Sequence, residues 1–266
     1  MVRCMKKTLS VIIPNYNNEK YLRKCLDSVM LQTYPIKEVI VFDDASTDSS
    51  AAILKEYEER YPVIHVIYSN ENAGVSAARD RAIKQTTSEY VTMIDADDFY
   101  WDKDKLEREM ECVNSSDKDV CVFSQTVKVD ETGIPCQPLN HKKLSSRIRL
   151  KTVTRLFGIY APRDYCFPRK IYIELGGYLP HMNLYEDWEL NLRFMSKCSF
   201  IYSGGYGTAY RQKSGGLSKA DAGKHLEAKK YAFKNNEERL QYTYFEKIVF
   251  YALVYFNYLR KLIGIG

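Results

Sequence analysis

Short apolar runs alternate with longer stretches whose apolar residues fall three and four apart, and the alternation is regular through the first half of the chain. TLSVIIP (8–14), KEVIVF (37–42), VIHVIY (63–68) and YVTMI (90–94) are rich in β-branched residues and of strand length. After the first run, Tyr21, Leu22, Cys25, Leu26, Val29 and Met30 share a helical face, with Asn17 or Asn18 as cap and Pro35 as stop. ASTDSS then offers several caps for a second helix through Arg60, with Ile53, Leu54 and Tyr57 turned inward. Residues 70–74 turn into a third helix through Lys84. Strands alternating with helices in this way predict βαβ units and a mostly parallel sheet.

Beyond residue 100 the pattern is less regular. DVCVFSQTVKV (119–129) predicts a strand, followed by a turn at Glu131, Thr132 and Gly133. Residues 136–168 carry few signals, and a mobile lid or acceptor loop is expected there. A short helix over 170–175 ends at Gly176 and Gly177, and a second over 186–198 places Trp188, Leu192 and Met195 on one stripe. Two strands are expected at 200–202 and 207–210. From Asp221 the chain reads as two helical pieces, the second (244–263) crowded with Ile, Val, Phe, Tyr and Leu. Its uninterrupted apolar core, 248–256, is shorter than the roughly 20 residues that span a bilayer.

Composition narrows the possibilities. A chain of 266 residues, 45% hydrophobic and 27% charged, is that of an ordinary globular protein with room for a sizeable core. A net charge of +5 suits an acidic ligand or an anionic surface but is too small to argue for nucleic acid. The seven cysteines are scattered without a C-x-x-C spacing, which points to reduced thiols in a cytosolic protein. The first apolar run breaks at Pro14, as a strand would and a signal peptide would not. His65, His141, His181 and His225 form no metal-ligand spacing, which argues against zinc.

The chemistry gathers where the fourth run ends. SEYVTMIDADDFYW (88–101) passes from a buried strand into Asp95, Asp97 and Asp98. Clustered carboxylates cannot be buried unpaired, so they must face water, a cation or a ligand at the carboxyl edge of the sheet, where open α/β sheets bind ligands. An acid-x-acid pair on a rigid strand end suits Mn²⁺ or Mg²⁺ shared with phosphate. The plainer reading is an acidic turn with Asp102 capping the following helix. Asp43 and Asp44 end the second strand in the same way. Tyr16 follows Pro14 at a strand end, where it either stacks on a base or packs into the core. Gly74 lets the backbone approach closely before a helix N-terminus, a setting that favours phosphate. Glu186 and Asp187 open a helix, where the dipole favours acids whether or not they act chemically.

Four segments together resemble the inverting glycosyltransferases of family 2, which have the GT-A fold. They are SVIIPNYNNEKYLRKCLDSVMLQTYPIKEVIVFDDASTDSS, NENAGVSAARDRAIKQTTSEYVTMIDADD, ELGGYLPHMNLYEDWELNLR and, more weakly, YRQKSGGLS, covering about 8–218. The resemblance implies a mostly parallel, Rossmann-like sheet flanked by helices. It implies a catalytic domain over 1–218, with a nucleotide-sugar half at 8–100 and an acceptor half at 101–218, then a helical extension at 219–266. It also implies an inverting transfer of one sugar from a nucleotide-diphosphate donor, a UDP-sugar by preference, to a hydroxyl of a glycan or lipid-linked glycan in cell-surface polysaccharide biosynthesis.

The roles carried over follow the matching positions. Pro14, Tyr16 and Asp44 would meet the base, Asp95 the ribose, and Gly74, Arg79 and Arg211 the diphosphate. Asp97 would hold the metal ion. Asp187, beside Glu186, would be the base that takes the acceptor's proton, and Trp188 would stack on the acceptor sugar or pack in the core. Two departures stand out: Asp80 replaces the usual Asn, and Lys213 replaces a His found two places after the Tyr-Arg pair. Protonated lysine cannot ligate a metal, but its charge could hold the diphosphate.

Other enzyme classes fit less well. A haloacid-dehalogenase phosphotransferase would carry the acid pair on its first strand, and a nicotinamide enzyme would have G-x-G-x-x-G where PNYNN stands. A non-catalytic nucleotide-sugar-binding or assembly protein of the same fold is the remaining alternative. The aromatic C-terminal helix is expected to pack on the catalytic domain, to dimerise, or to lie peripherally at the cytoplasmic face of a membrane.

Overall fold

The computed structural model describes residues 6–137, 139, 164–182, 184–213 and 221–262. Most of the expected lid or acceptor loop (138 and 140–163) lies outside the described residues. The first four apolar runs become β1 (Leu9–Asn15), β2 (Glu38–Asp43), β3 (Ile64–Tyr68) and β4 (Tyr90–Met93). They pair in parallel in the order β3-β2-β1-β4, and β7 (Phe167–Pro168) adds an antiparallel edge beside β4. The chain therefore leaves β1 toward β2 and β3 and returns to its other side for β4. The carboxyl ends of β1 and β4 form the crevice that such a reversal opens.

Alternation along each strand divides the core into two layers. Leu9, Val11, Ile13, Val39 and Val41 face α1 (Glu19–Met30), α2 (Ser50–Arg60) and α4 (Lys105–Asn114). Ile12, Ile40, Phe42, Val91 and Met93 face α3 (Val75–Gln85), α5 (Arg169–Glu174) and α6 (Glu186–Met195). The inward stripes predicted for α1 and α2 are buried, except that Tyr21 and Met30 are half-buried. The cap of α4 is Asp104, not Asp102. Asp102 instead pairs with Arg108 (3.0 Å), which also reaches the Tyr206 carbonyl, so the arginine draws it away from the helix end.

A second, three-stranded sheet has the order β5-β8-β6, from β5 (Phe99–Tyr100), β6 (Val120–Val129) and β8 (Ser199–Arg211). Here the two expected strands at 200–202 and 207–210 are one. Gly204 (φ 86°) and Gly205 (φ 67°) kink it, and the pairing with β6 shifts register beside them. The glycine pair reads as a break in sequence but serves as an irregularity within a continuous strand. β5 and β8 bring the acids after β4 against Arg211 at the far end of β8.

The C-terminal pieces form α7 (Ala222–Leu240) and α8 (Tyr244–Leu262). Their inner faces enclose Phe233, Phe250 and Val254 together with Trp188 and Leu192 of α6. No helix among the described residues is long and apolar enough to cross a membrane.

Candidate active site

A cleft of about 400 Å³ opens at the carboxyl ends of β1, β2 and β4. Pro14, Tyr16, Asp44, Gly74, Asp95 and Asp97 all line it, so six of the twelve site residues named from sequence lie around one cavity. Asn15, Asn18, Asn72, Val75, Ala78 and Ala96 complete the wall; none was named as a site residue in advance, although Asn15 lies between Pro14 and Tyr16, which were. Tyr16 is 47% exposed at the lip, an aromatic face open to a ligand.

The floor is built by backbone donors meeting carboxylates. Asp44 accepts from the N–H groups of Ala73 (3.0 Å) and Gly74 (2.8 Å), which fastens the loop before α3 to the end of β2. Its oxygens therefore reach a ligand only with the lone pairs left over. Gly74 adopts φ 87° and ψ 164°, a conformation that other residues rarely adopt, as it starts α3 at the cleft. Asn15 donates to Asp43 (2.7 Å), which in turn accepts from Ser46, locking the ends of β1 and β2 together.

Arg79 departs from its expected place on the diphosphate. It is 1% exposed and grips both oxygens of Asp95 at 2.8 and 3.0 Å. From the other side it meets Glu186 at 2.8 Å and Asp187 at 3.8 Å. A buried cation is tolerated only when paired, and this one is shared by three acids. Burial acts against its charge, yet the carboxylates raise its pKa well above the ordinary value. It therefore ties the cleft wall to the acid pair that opens α6. Tyr178 lies under the guanidinium at 5.8 Å, a contact for which the sequence held no signal.

Glu186 and Asp187 are held where the chain turns sharply. Tyr185, immediately before them, adopts φ 59°, a conformation rare outside glycine, and its hydroxyl meets His225 Nδ1 at 2.9 Å. Burial, then the charge of Asp187, pushes the Glu186 carboxyl up to about 8 despite Arg79. One arginine facing three carboxylates cannot keep all of them ionised, and the more deeply buried acid keeps the proton. Asp187, 29% exposed, remains the acid that a solvent-side hydroxyl could reach.

The acidic loop after β4 is braced from below. Asp95, Asp97 and Asp98 bring one oxygen each within 4.8 Å of one another. An all-carboxylate set fits a hard divalent cation. Lys213 sits at 2.5 Å from Asp97, so a metal ion there would compete with the chain's own ammonium. Arg211, expected on the diphosphate, is instead buried. Its guanidinium donates to the carbonyls of Asp97 (2.7 Å) and Glu131 (2.6 Å), and its backbone N–H to Asp98 (2.8 Å). It shapes the loop from behind. Trp188 is 5% exposed and lies over Phe250 at 6.0 Å, so its ring is a packing surface and not a wall of the cleft. Asp80, the departure from the usual Asn, accepts from Tyr172 (2.8 Å) and pairs with Lys84 (2.6 Å), and it does not line the cleft.

The family description Glycosyl transferase family 2 matches residues 10–176, more than half of the chain and all of the cleft wall. The chain belongs to glycosyl transferase family 2. Within the family it is 40% identical over 121 residues to the putative teichuronic acid biosynthesis glycosyltransferase TuaG of Bacillus subtilis, a match covering 46% of each chain. It is 43% identical over 94 residues to the poly(ribitol-phosphate) beta-glucosyltransferase of Bacillus spizizenii, covering 34% of this chain and 15% of that one. The chain thus spans less than half the length of these curated relatives. The fold is that of S. aureus TarS 1-349, solved in complex with UDP-GlcNAc (TM-score 0.70, 20% identity, 88% of this chain and 70% of that). It is also that of the mannosyltransferase PcManGT of Pyrobaculum calidifontis, solved with GDP-Man and Mn²⁺ (TM-score 0.62, 18% identity, 98% and 76%). The expected GT-A-like architecture is therefore the observed one.

Proposed function

We propose that this chain transfers one sugar, with inversion, from a UDP-sugar to a hydroxyl of a glycan or lipid-linked glycan during cell-surface polysaccharide assembly. The observation that carries the reading is the bridge from cleft-lining Asp95 through buried Arg79 to Glu186 and Asp187. It sets a nucleotide-sized cavity and a proton acceptor on either side of one fixed charge. The names of the relatives, and the UDP-GlcNAc bound by TarS, support the same substrate classes.

In this reading Tyr16 stacks on the base beside Pro14, and Asp44 accepts from it with a remaining lone pair. Asp95 receives a ribose hydroxyl while Arg79 holds its orientation. The N-terminus of α3 at Gly74 directs its dipole toward the diphosphate. Asp97, with Asp95 and Asp98 beside it, would hold Mn²⁺ or Mg²⁺, which neutralises charge on the departing diphosphate. Lys213, released from Asp97, supplies a further positive charge on the same side. Asp187 takes the proton of the acceptor hydroxyl as that oxygen attacks the anomeric carbon opposite the leaving group. Glu186, its carboxyl pushed up to about 8 by burial and by the Asp187 charge, keeps its own proton at neutral pH.

Two measurements test this. Thermal unfolding with UDP, GDP, CDP and dTDP, each with and without Mn²⁺, should give a shift for one nucleotide; about 2.7 kcal/mol is expected at a hundredfold excess over its Kd. No shift with any of them would sink the reading. Asp187→Asn should keep that shift and lose about 10²–10⁴-fold in transfer rate. Unchanged transfer would remove Asp187 from the role of base, and absence of transfer in the wild type with every sugar donor would leave a nucleotide-sugar-binding protein.

A further inference from the structure

Each of the three acids after β4 meets a partner from elsewhere in the fold, and the partners differ in how firmly they are held. Asp95 is gripped by Arg79, which is enclosed on all sides. Asp98 accepts from the backbone N–H of Arg211 (2.8 Å), which belongs to β8 itself. Asp97 meets the Lys213 ammonium at 2.5 Å, and these two side chains are partly open to water, at 23% and 32% exposure. A buried guanidinium and a strand backbone stay where the fold puts them, whereas a half-exposed lysine on its flexible stem can swing away. Exchange of one cation for another therefore belongs to Asp97 and not to its neighbours.

The backbone delivers Lys213 to this position. β8 ends at Arg211, whose guanidinium donates to the carbonyls of Asp97 (2.7 Å) and Glu131 (2.6 Å). The next N–H, that of Gln212, donates to the Val129 carbonyl at 2.8 Å. The strand end is thus fastened to the acidic loop on one side and to β6 on the other, immediately before Lys213. Tyr21 of α1 supports both cations, its ring centre 4.5 Å from the Arg211 guanidinium and 5.3 Å from the Lys213 ammonium. A cation tethered so closely acts at an effective concentration in the millimolar range or above. A divalent ion on the same carboxylate would repel it, so the lysine must move before the metal settles. Asp97 lines the cleft, and a diphosphate entering there offers the displaced ammonium a new anionic partner.

We propose that Lys213 is a resident counter-ion that keeps Mn²⁺ or Mg²⁺ off Asp97 until a nucleoside diphosphate arrives, so that metal and nucleotide enter as a pair. The inference rests on the transferase reading for its nucleotide and deepens it by stating how the acid loop is loaded. One side chain then has two effects of opposite sign: it opposes the metal alone and assists the nucleotide once the metal is present.

The test reads binding and not turnover. Mn²⁺ affinity without nucleotide is measured from the electron paramagnetic resonance signal of the free ion, and UDP affinity with Mn²⁺ present by calorimetry. Lys213→Met keeps the length of the side chain without its charge. It should bind Mn²⁺ alone at least about fivefold more tightly than the wild type and bind UDP with Mn²⁺ more weakly. Lys213→Gln should behave alike. Lys20 pairs with Glu131 at 3.3 Å and lies 5.1 Å from the same Tyr21 ring, so Lys20→Met removes an equal charge nearby and should change neither affinity. Equal Mn²⁺ affinity in the wild type and both Lys213 variants overturns the inference, because the ammonium then does not compete. An equal gain in Lys20→Met does so too, because any neighbouring charge would then suffice. If UDP binds none of the proteins, the transferase reading falls by itself, and the metal-alone measurement still decides whether Lys213 guards Asp97.

Discussion

A single guanidinium decides most of the local electrostatics. Arg79 is fully enclosed, and each of its acids contributes to keeping it charged. Glu186 bears the cost: its pKa of about 8 in the folded protein stands against an ordinary value of 4.5. The folded chain therefore keeps a proton that the unfolded chain releases, and stability from this group is full below about pH 4.5 and is lost as pH rises to about 8. Glu186→Gln keeps a neutral side chain at every pH. Its melting temperature should gain on the wild type's as pH rises through that window, and parallel melting curves for the two proteins would show that Glu186 is ionised throughout. Transfer by Glu186→Gln should fall by about tenfold or less, far less than in Asp187→Asn, because the substitution leaves the Asp187 carboxylate proposed as base in place.

At the scale of elements, legibility followed the strength of the local signal. β1, β2, β3 and β4 were readable because each is a continuous apolar run that ends in polar residues, and the inward faces of α1 and α2 because their spacing is unbroken. β8 was not, because Gly204 and Gly205 carry the signature of a break while the backbone continues through them. The cleft residues Pro14, Tyr16, Asp44, Gly74, Asp95 and Asp97 were found because strand ends place them on one edge. For Arg79 and Arg211, expected at the diphosphate, and for Trp188, expected at the acceptor sugar or in the core, the buried partners were not legible. A side chain's partners across the fold leave no trace in its neighbours along the chain, and all three turn inward to such partners.

Glycine roles can be separated at the same scale. Gly176 has open space around it, whereas a Cβ on Gly177, at φ 72°, would press on the Asp80 carboxylate and the Tyr172 hydroxyl. Gly177→Ala should therefore lose about 1–3 kcal/mol of stability by urea unfolding. Gly176→Ala, strained in φ but unobstructed, should lose less. Equal losses would show that backbone conformation alone matters at both positions.

Across the whole molecule, the C-terminal hairpin supports the acid pair from a distance. Phe250 stacks on Phe233 and lies against Trp188, which is one residue past Asp187 on α6. Phe250→Ala should cost about 3–5 kcal/mol and leave a cavity beneath the start of that helix. The transfer rate should fall while nucleotide affinity, set at the carboxyl ends of β1, β2 and β4, stays unchanged. A matching loss in nucleotide affinity would mean that the hairpin supports the whole sheet and not the acid pair alone.

Asp95 and the Glu186–Asp187 pair are antagonists for one positive charge. A ligand that draws Asp95 away from Arg79 leaves more of that charge to Glu186, which then gives up its proton more readily. By reciprocity, a change of protonation at the acid pair must alter affinity at the nucleotide cleft by the same factor. The two halves of the centre can thus sense each other's occupancy through a fixed side chain, with no movement of the backbone between them.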